Sequence, residues 1–343
     1  MTTSRQVLLA RRPEGEPTDD TFSFEEHELP DLEDGQLLLR VVYLSLDPYM
    51  RGRLSDAPSY ADPVEVGGLI VGGTVCVVEE SRDASYEVGD VVLSYSGWQT
   101  HAVADARHVR KLDPSQAPIS TALGVLGMPG LTAYAGLLEI GKPQPGETVV
   151  VAAATGPVGS AVGQIAKVKG ARAVGIAGGE KKRQALLDEF GFDVALDHRS
   201  PTFADDLAEA VPDGIDVYFE NVGGPVAREV FKHVNLYARV PVCGLVANYN
   251  ASSAPEGPDR LPGFMGLVLR KSLTVRGFIQ TEFQKSHTRD FVRDMSAWVA
   301  DGSVRYREDV VEGLDAAPEA FRGLLSGANF GKLLVRVSPD PTL

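Results

Sequence analysis

The sequence predicts a mixed α/β fold, with a doubly wound parallel sheet and a separate β-rich, partly barrel-like lobe. Its 343 residues exceed the roughly 100–200 residues usual for one domain, so two lobes are expected. Residues 1–127 contain short apolar segments separated by glycine, a pattern typical of an irregular antiparallel barrel. From residue 148 onward, strand-like and helix-like segments alternate, which indicates a doubly wound sheet.

The strands of the first lobe are predicted from apolar runs. These runs are residues 36–46 (QLLLRVVYLSL), residues 69–79 (LIVGGTVCVVE) and, after a turn at residues 87–90, residues 91–98 (VVLSYSGW). At the end of the chain, residues 332–337 (KLLVRV) predict another strand, which we expect to rejoin this lobe. The first lobe is therefore assigned residues 1–127 and 297–343.

The second lobe is assigned residues 128–296. Residues 148–153 (TVVVAA) form an uninterrupted apolar run, as expected for a parallel strand that is buried on both faces. Further strands are expected at residues 172–176, 195–197, 215–220, 238–243 and 272–279. Helices are expected at residues 158–170, 181–190, 203–211, 226–234 and 286–301.

Composition and charge narrow the class of protein. The net charge of −14 repels phosphate backbones, which argues against nucleic-acid binding. No apolar run reaches the ~18 residues of a membrane span, and the amino terminus lacks the apolar stretch of a signal peptide. The only two cysteines, Cys76 and Cys243, lie in apolar runs and are interpreted as free, buried thiols. We therefore expect a cytoplasmic protein without a membrane partner.

A glycine-rich segment follows the first parallel strand. Residues 154–163 (ATGPVGSAVG) lie between a predicted strand and a predicted helix, the context required of a Rossmann-type nucleotide-binding turn. Its glycines permit a tight turn and close approach of the backbone to a pyrophosphate at the helix N-terminus. Gly163 is expected to let the helix pack closely against the strand. The alternative is a glycine-rich loop that serves packing alone.

The end of the second parallel strand bears on the choice between NAD and NADP. NAD enzymes usually place an acid there to hold the ribose 2′-hydroxyl, whereas residues 174–179 (VGIAGG) contain none. Lys181, Lys182 and Arg183 follow, and such cations attract a 2′-phosphate. The sequence therefore favours NADPH. A solvated basic helix start would explain the cations but not the missing acid.

Several motifs together resemble one family. They are LSLDPYMRGRL (44–54), MPGLTAYAGLLEIGKPQPGETVVVAAATGPVGSAVGQIAK (128–167), AGGEKKR (177–183), ENVGG (220–224), CGLVANYN (243–250) and GANFGKLLVRV (327–337). The set resembles the zinc-independent double-bond reductases of the medium-chain dehydrogenase/reductase superfamily. That branch includes the prostaglandin and leukotriene-type reductases, plant 2-alkenal reductases and bacterial curcumin reductase. The resemblance runs nearly end to end, and it implies a GroES-like catalytic lobe beside the Rossmann lobe.

Zinc members of that superfamily differ from this chain at their metal ligands. Two cysteines cannot build their four-cysteine structural site. The chain has Asp47-Pro48-Tyr49 where the first catalytic ligand would lie, and Val66-Gly67-Gly68 where a Gly-His-Glu would lie. The six histidines show no ligand spacing. Zinc catalysis is not expected.

The resemblance also implies a set of cofactor-binding residues. Lys182 matches a lysine that contacts the 2′-phosphate, and His198 stands where the family often has a tyrosine near the adenosine ribose. The full set is Met128, Thr132, Gly156, Pro157, Val158, Gly159, Gly178, Gly179, Lys182, His198, Asn221, Cys243, Tyr249, Phe278 and Asn329. Two members have alternatives: Asn329 as a turn residue, and Thr132 as a helix residue that bonds its own backbone.

The resemblance implies reduction of the carbon–carbon double bond of α,β-unsaturated ketones and aldehydes. Hydride addition leaves an enolate, and without a metal a phenol is a suitable donor to its oxygen. Tyr249 is the expected main donor, and Tyr49 is expected to orient the carbonyl or relay a proton. Each could instead be an ordinary half-buried tyrosine. Arg51 and Arg53 are expected to form structural ion pairs rather than to bind a substrate carboxylate.

The substrate pocket is expected at residues 54–65, 251–265 and 278–283, whose aromatic and apolar content suggests a hydrophobic enone. Three alternatives remain open: a quinone reductase, an alcohol-oxidising dehydrogenase, and a protein that binds NADPH without turnover. The resemblance also implies a homodimer that pairs through its cofactor domains.

Overall fold

The computed structural model describes residues 2–253 and 257–343, which divide into two compact units. Unit 1 comprises Met1–Gly124 and Glu308–Leu343, and unit 2 comprises Val125–Arg307. The second division falls later than the sequence suggested. Tyr134 donates a 2.7 Å hydrogen bond to Asp294 and packs its ring on Phe291, so the helix that carries both partners belongs to unit 2.

The strands are β1 (Thr3–Leu9), β2 (Phe22–Glu28), β3 (Gln36–Ser45), β4 (Thr74–Ser81), β5 (Val91–Ser94), β6 (His101–Asp105), β7 (Arg110–Lys111), β8 (Thr148–Ala152), β9 (Arg172–Ala177), β10 (Val194–Asp197), β11 (Ile215–Phe219), β12 (Val234–Val242), β13 (Thr274–Gly277), β14 (Glu308–Glu312) and β15 (Lys332–Arg336). Of these, β8 to β13 lie in unit 2 and the others in unit 1.

The α-helices are α1 (Met50–Arg53), α2 (Met128–Ala135), α3 (Pro157–Val168), α4 (Glu180–Asp188), α5 (Phe203–Ala210), α6 (Gly224–Val230), α7 (Leu261–Lys271), α8 (Gln284–Ala300) and α9 (Ala317–Leu325). Of these, α1 and α9 lie in unit 1 and the others in unit 2. A π-helix, Gly136–Gly141, continues α2, and short 3₁₀ turns include Val246–Asn248. In the described ranges, no helix is both long and apolar enough to cross a membrane.

Unit 1 is built on a sheet with the order β14-β15-β3-β4-β5-β7, with β6 paired to β3 and a separate β1-β2 ribbon. The pairs are antiparallel except β14 with β15. The expectation that the chain's end rejoins the first lobe is confirmed, because β15 pairs with β3. The core is centred on Trp98, which is fully buried between the rings of Phe22 and Phe321.

Unit 2 contains a parallel sheet with the order β10-β9-β8-β11-β12-β13. The order reverses between β8 and β11, which makes their carboxyl ends the switch point where such sheets bind ligands. Every residue of β8 is buried, as predicted from its uninterrupted apolar run. The expected doubly wound sheet is confirmed.

Several element bounds differ from the sequence prediction. The helix expected at residues 226–234 is α6, which ends at Val230, and β12 begins four residues after it at Val234 rather than at residue 238. The strand expected at residues 69–79 begins only at Thr74, because Gly72 and Gly73 precede the ladder. Pattern reasoning detects the apolar centre of an element better than its ends.

Candidate functional site

The glycine-rich turn joins β8 to α3 at the switch point. Gly156 is the N-cap of α3 and Pro157 its first residue, where a missing N–H costs nothing. A Cβ at Gly159 would lie 2.4 Å from the Ala153 carbonyl oxygen, so only glycine fits there. Val158, between them, is partly exposed. The exposed N–H groups of the first turn form an anion site of the kind that holds a pyrophosphate.

Gly163 has a different role from the one predicted. A Cβ at this position would lie 1.9 Å from Cζ of Phe192, which is a buried residue between α4 and β10. Gly163 therefore makes room for an aromatic ring, and it is Gly159 that lets the helix approach the strand end.

A basic pocket lies at the carboxyl end of β9. A Cβ at Gly178 would lie 2.9 Å from His198 Nε2 and 2.8 Å from Arg199 Nε, so both side chains close over this glycine. Burial, and then the charge of Arg199, lowers the pKa of His198, and the charge of Lys182 acts in the same direction. Lys182 lies in the first turn of α4, which directly follows Gly178 and Gly179. Two permanent cations can meet a phosphate here.

The other residues around the basic pocket make contacts with their neighbours along the chain. Gly179, with φ of 90°, is the N-cap of α4. Arg183 forms a 2.6 Å ion pair with Glu180, so its charge is already partnered. Asp197, at the end of β10, accepts a 2.9 Å hydrogen bond from the Arg199 N–H. That carboxylate orders the turn that presents Arg199.

Asn221 joins the ends of the two strands at the switch point. Its Nδ2 donates a 2.8 Å hydrogen bond to the Ala152 carbonyl of β8. The adjacent Glu220 is buried, and its carboxylate accepts hydrogen bonds from the N–H groups of Val222 (2.6 Å) and Gly223 (2.9 Å) and from the Tyr218 hydroxyl (2.8 Å). Glu220 thereby fixes the turn that carries Asn221.

Tyr249 lies close to Asn221. It follows the 3₁₀ turn Val246–Asn248, and a Cβ at Gly244 would lie 3.2 Å from its hydroxyl and 3.3 Å from the Asn221 carbonyl oxygen. Cys243, which precedes Gly244, is a free cysteine that is partly buried as a residue, and burial raises the pKa of its thiol to about 12. The Tyr249 phenol therefore lies near the carboxyl ends of β11 and β12.

Three members of the expected cofactor set lie around α2: Met128 and Thr132 on the helix itself, and Phe278 against its continuation at Gly136. Thr132 Oγ1 donates a 2.7 Å hydrogen bond to the Met128 carbonyl, the local bond considered as the alternative for this residue. Phe278 is buried, and its ring packs edge-on against Phe219 and Phe283. Phe278 and Phe283 are therefore core residues of unit 2. Of the expected pocket segment 251–265, residues 254–256 lie outside the described residues.

Tyr49 and Asn329 lie in unit 1. Tyr49 is the partly buried N-cap of α1, and burial, followed by the charge of Asp47, raises the pKa of its phenol above the ordinary value. The phenol is therefore protonated throughout the physiological range. Asn329 Nδ2 donates a 2.8 Å hydrogen bond to the Gly331 carbonyl, which is the behaviour of a turn residue. Arg51 donates a 2.6 Å hydrogen bond to the Gly15 carbonyl.

Taken by itself, unit 2 fits a phosphorylated dinucleotide. The turn at Gly159 leaves space only for backbone, the helix N-terminus of α3 offers N–H donors, and Lys182 with Arg199 supplies cations beside Gly178. Sequence reasoning missed Arg199 and Glu220. Arg199 belongs to no motif and approaches Gly178 through the pairing of β10 with β9. Glu220 begins the ENVGG motif, but its role depends on local hydrogen bonds to residues 218, 222 and 223. Within the part of the chain that the structure describes, no three His, Cys, Asp or Glu side chains group as metal ligands.

Family profiles match most of the chain. A profile described as the N-terminal domain of oxidoreductase matches residues 5–112. A second, described as zinc-binding dehydrogenase, matches residues 157–299.

Relatives align over almost the whole length. The chain is 52% identical to the NADPH-dependent curcumin reductase of Escherichia coli (strain K12), covering 98% of this chain and 98% of that protein. It is 39% identical to prostaglandin reductase 1 of Rattus norvegicus, covering 98% and 100%. The crystal structure of CurA in complex with NADPH from Vibrio vulnificus is 51% identical, with a TM-score of 0.95, and the match covers 98% of this chain and 100% of that one.

Proposed function

The chain belongs to the zinc-independent double-bond reductases of the medium-chain dehydrogenase/reductase superfamily, and we propose that it uses NADPH to reduce the carbon–carbon double bond of α,β-unsaturated ketones and aldehydes. The end-to-end identity of 52% with an NADPH-dependent curcumin reductase is the observation that carries this proposal. The basic pocket at Gly178 supports NADPH over NADH, because Lys182 and Arg199 can meet a 2′-phosphate.

We propose that the residues implied by the family resemblance bind the cofactor. The proposed set is Gly156, Pro157, Val158, Gly159, Gly178, Gly179, Lys182, His198, Asn221, Cys243, Tyr249, Phe278, Met128, Thr132 and Asn329. When bound, NADPH supplies the hydride that reduces the enone. Arg199 joins this set because its guanidinium lies beside Gly178.

The protein's own contribution to the chemistry is a proton donor for the substrate oxygen. Negative charge develops on that oxygen during reduction, and one well-placed donor to it contributes roughly 3–4 kcal/mol. A phenol, with its ordinary pKa of ~10, stays protonated at neutral pH and can donate. We assign this role to Tyr249, whose hydroxyl lies over Gly244 beside Asn221. Tyr49, whose pKa is raised mainly by burial, orients the carbonyl.

The reaction is tested by following oxidation of NADPH or NADH against a panel of 2-alkenals, aryl enones, a curcuminoid, a prostaglandin-type enone and a quinone. We expect NADPH-selective consumption with enones and the saturated carbonyl compound as product. Consumption with the quinone alone would overturn the proposal. NADPH binding without consumption of any panel member would support the non-catalytic alternative.

The role of Tyr249 is tested by the Tyr249→Phe variant. Loss of a donor to a developing oxyanion lowers kcat by roughly 10²–10³-fold, whereas quinone reduction has little need of it. Tyr237→Phe is the matched control, because Tyr237 is 66% exposed in the same unit. Equal enone turnover by Tyr249→Phe and the wild type would remove Tyr249 from the mechanism.

We further propose that the protein is a cytoplasmic homodimer that pairs at the β13 edge of unit 2. The strand β13 ends the parallel sheet, and all four of its residues are exposed. The helix α7, which precedes β13 in the chain and packs against β12, carries the exposed apolar side chains Leu261, Met265 and Leu269, one turn apart. A bare sheet edge next to an apolar helix face is a typical pairing surface. The two free cysteines agree with a reducing compartment.

A further inference from the structure

A charged pair is buried inside unit 1, beside the turn that carries Tyr49. Lys332 Nζ lies 2.9 Å from Asp47 Oδ1 and donates a 2.8 Å hydrogen bond to the Leu46 carbonyl. The Ser45 hydroxyl donates to the other carboxylate oxygen, Oδ2. Lys332 is 2% exposed and Asp47 5% exposed. The proposed chemistry uses neither residue.

The pair is unusual because burying two charges is costly. Removing an ion pair from water costs more than its attraction returns unless hydrogen bonds satisfy the remaining donors and acceptors, and an apolar pair of similar size is often as stable. Stability alone therefore gives no reason to keep ions at this place. The satisfied network of Ser45, Asp47 and Lys332 instead fixes one arrangement of the backbone.

Strand pairing brings the two residues together. In the antiparallel ladder of β15 with β3, Leu334 lies opposite Ser45, so Lys332, two residues earlier, faces Asp47, two residues later. The pair thus joins the first residue of β15 to the chain that leaves β3. Its place in the fold is set by the sheet rather than by a flexible loop.

The Asp47 backbone begins the turn that presents Tyr49. The Asp47 carbonyl accepts a 3.0 Å hydrogen bond from the Met50 N–H, and the Tyr49 carbonyl accepts a 3.0 Å bond from the Gly52 N–H. Met50 is fully buried and anchors the far side of the turn. The direction of the Tyr49 phenol therefore follows from where Asp47 is held.

A second carboxylate, Glu308, faces Lys332 from β14. Its Oε1 is buried and has no hydrogen-bond partner among the described residues, and burial raises the pKa of this group. The ammonium of Lys332 lies within ion-pair distance of Asp47.

We propose that the buried Lys332–Asp47 pair positions Tyr49 for the substrate carbonyl, so that Lys332 and Asp47 are positioning residues of the reaction. This inference rests on the proposed function, since it gives Tyr49 a place in the site. The inference gives a role in the reaction to an ion pair that is not itself one of the reacting groups.

The test compares single and double substitutions. Lys332→Met leaves a buried carboxylate without its counter-charge and should lower Tm, whereas Lys332→Met/Asp47→Leu replaces the pair with an apolar one and should recover most of that loss. If the pair positions Tyr49, the double variant still loses roughly 10–100-fold in kcat on enones, with its NADPH Kd unchanged. A double variant with wild-type Tm and wild-type kcat would overturn the proposal.

Two controls separate positioning from general damage. Arg336→Gln/Glu312→Gln removes an exposed ion pair between β15 and β14 of the same unit and should leave kcat unchanged. In a Tyr49→Phe background, the Lys332→Met/Asp47→Leu change should cost less than twofold in kcat, because its effect passes through the missing hydroxyl. A full additional loss in that background would overturn the proposal.

A readout without turnover keeps this inference distinct from the proposed function. In the chain labelled with 3-fluorotyrosine, the resonance of Tyr49, identified by its absence in Tyr49→Phe, should shift or broaden in the double variant. It should stay unchanged in the Arg336→Gln/Glu312→Gln control. An unaltered Tyr49 resonance in the double variant would contradict positioning, whether or not the wild type reduces enones.

Discussion

Lys182 is the residue on which selectivity for NADPH is most directly tested. Its ammonium group acts on His198 beside Gly178, where the 2′-phosphate is proposed to bind. Lys182→Ala removes one charge-assisted contact, worth roughly 1.5–3 kcal/mol. We expect the KM for NADPH to rise about 10–100-fold, with the KM for NADH nearly unchanged, as measured by initial rates with one enone.

The matched control for this charge change is Lys285→Ala, an exposed lysine near the start of α8. It alters net charge equally but lies outside the basic pocket, so both KM values should stay constant. An equal rise of both KM values in Lys182→Ala would contradict a contact with the 2′-phosphate. Arg199→Ala should resemble Lys182→Ala, because the Arg199 guanidinium also lies beside Gly178.

At this scale the sequence predicts only those site residues that lie in a spacing motif. Gly156 and Gly159 were visible because strand, glycine turn and helix follow one another along the chain. Arg199 was not, because its approach to Gly178 depends on the pairing of β10 with β9. Lys332 and Asp47 lie far apart in sequence and meet only through the β15–β3 register.

Among the elements, the packing of α3 depends on the absence of a side chain at Gly163. Gly163→Ala would place a methyl group within 1.9 Å of the Phe192 ring. Such overpacking costs typically 1–3 kcal/mol, so we expect a lower Tm by calorimetry. In a Phe192→Leu background the same change should cost less, since the smaller side chain leaves room for the methyl group.

Gly323→Ala serves as the control for this helical glycine. A Cβ at Gly323 would meet only Ala328 at 3.6 Å, an ordinary contact, within α9. Alanine there should be neutral or slightly stabilising, because it restricts the unfolded chain. If both glycine variants lost the same stability, helix propensity rather than the Phe192 contact would be the cause.

The entry to β8 is tied to β12 by an ion pair that predicts acid sensitivity. Glu147 accepts a 3.0 Å hydrogen bond from Arg239 Nη1 and a 2.8 Å bond from the Gln144 N–H. Burial opposes ionisation of Glu147, but these two donors outweigh it and lower its pKa below the ordinary value. A carboxyl group whose pKa is lowered by folding stabilises the folded state at pH values above its pKa in the unfolded chain, ~4.3. This stabilisation is lost as the pH falls through the pKa of the folded state.

The Glu147→Gln variant should therefore be less stable than the wild type at pH 7, with the difference shrinking below about pH 4.3. Urea unfolding at pH 7, 5, 4 and 3 measures this. Glu26→Gln, at an exposed position on β2, should show no such pH-dependent difference. A Glu147→Gln deficit that persisted unchanged at pH 3 would indicate lost hydrogen bonds rather than lost charge.

For whole elements, prediction succeeded where the apolar period is unambiguous. The run at residues 148–153 can only be a buried strand, and it is β8. By contrast α7, at Leu261–Lys271, is not predicted, and only its first five residues fall in the expected pocket segment 251–265. Phe264, Leu267 and Val268 pack inward. Leu261, Met265 and Leu269 on the same helix are exposed, so apolar residues on two faces obscure the helical period.

Over the whole molecule, the alternation of strands and helices was enough to predict two lobes and the parallel sheet, because connections in such sheets follow few rules. The strand order of unit 2 places β8 beside β11, and that switch point brings together Ala152 and Asn221 from distant parts of the sequence. The exact division near residue 307 could not be read, since helix α8 is amphipathic and fits either lobe by pattern alone.

The proposed dimer is the prediction that belongs to the molecule as a whole. Light scattering should give twice the mass of one chain for the wild type. Leu269→Glu/Val275→Glu puts charges on the apolar face of α7 and on the exposed strand β13, which natural edges use to prevent pairing. This variant should therefore be a monomer with an unchanged fold by circular dichroism.

Val88→Glu is the control for that change, because Val88 is 70% exposed and belongs to unit 1. It should remain a dimer. A dimeric Leu269→Glu/Val275→Glu variant would place the pairing surface elsewhere, and a monomeric wild type would exclude it. The sheet edge then needs another explanation, since an exposed strand beside Leu261, Met265 and Leu269 is an aggregation hazard unless another surface covers it.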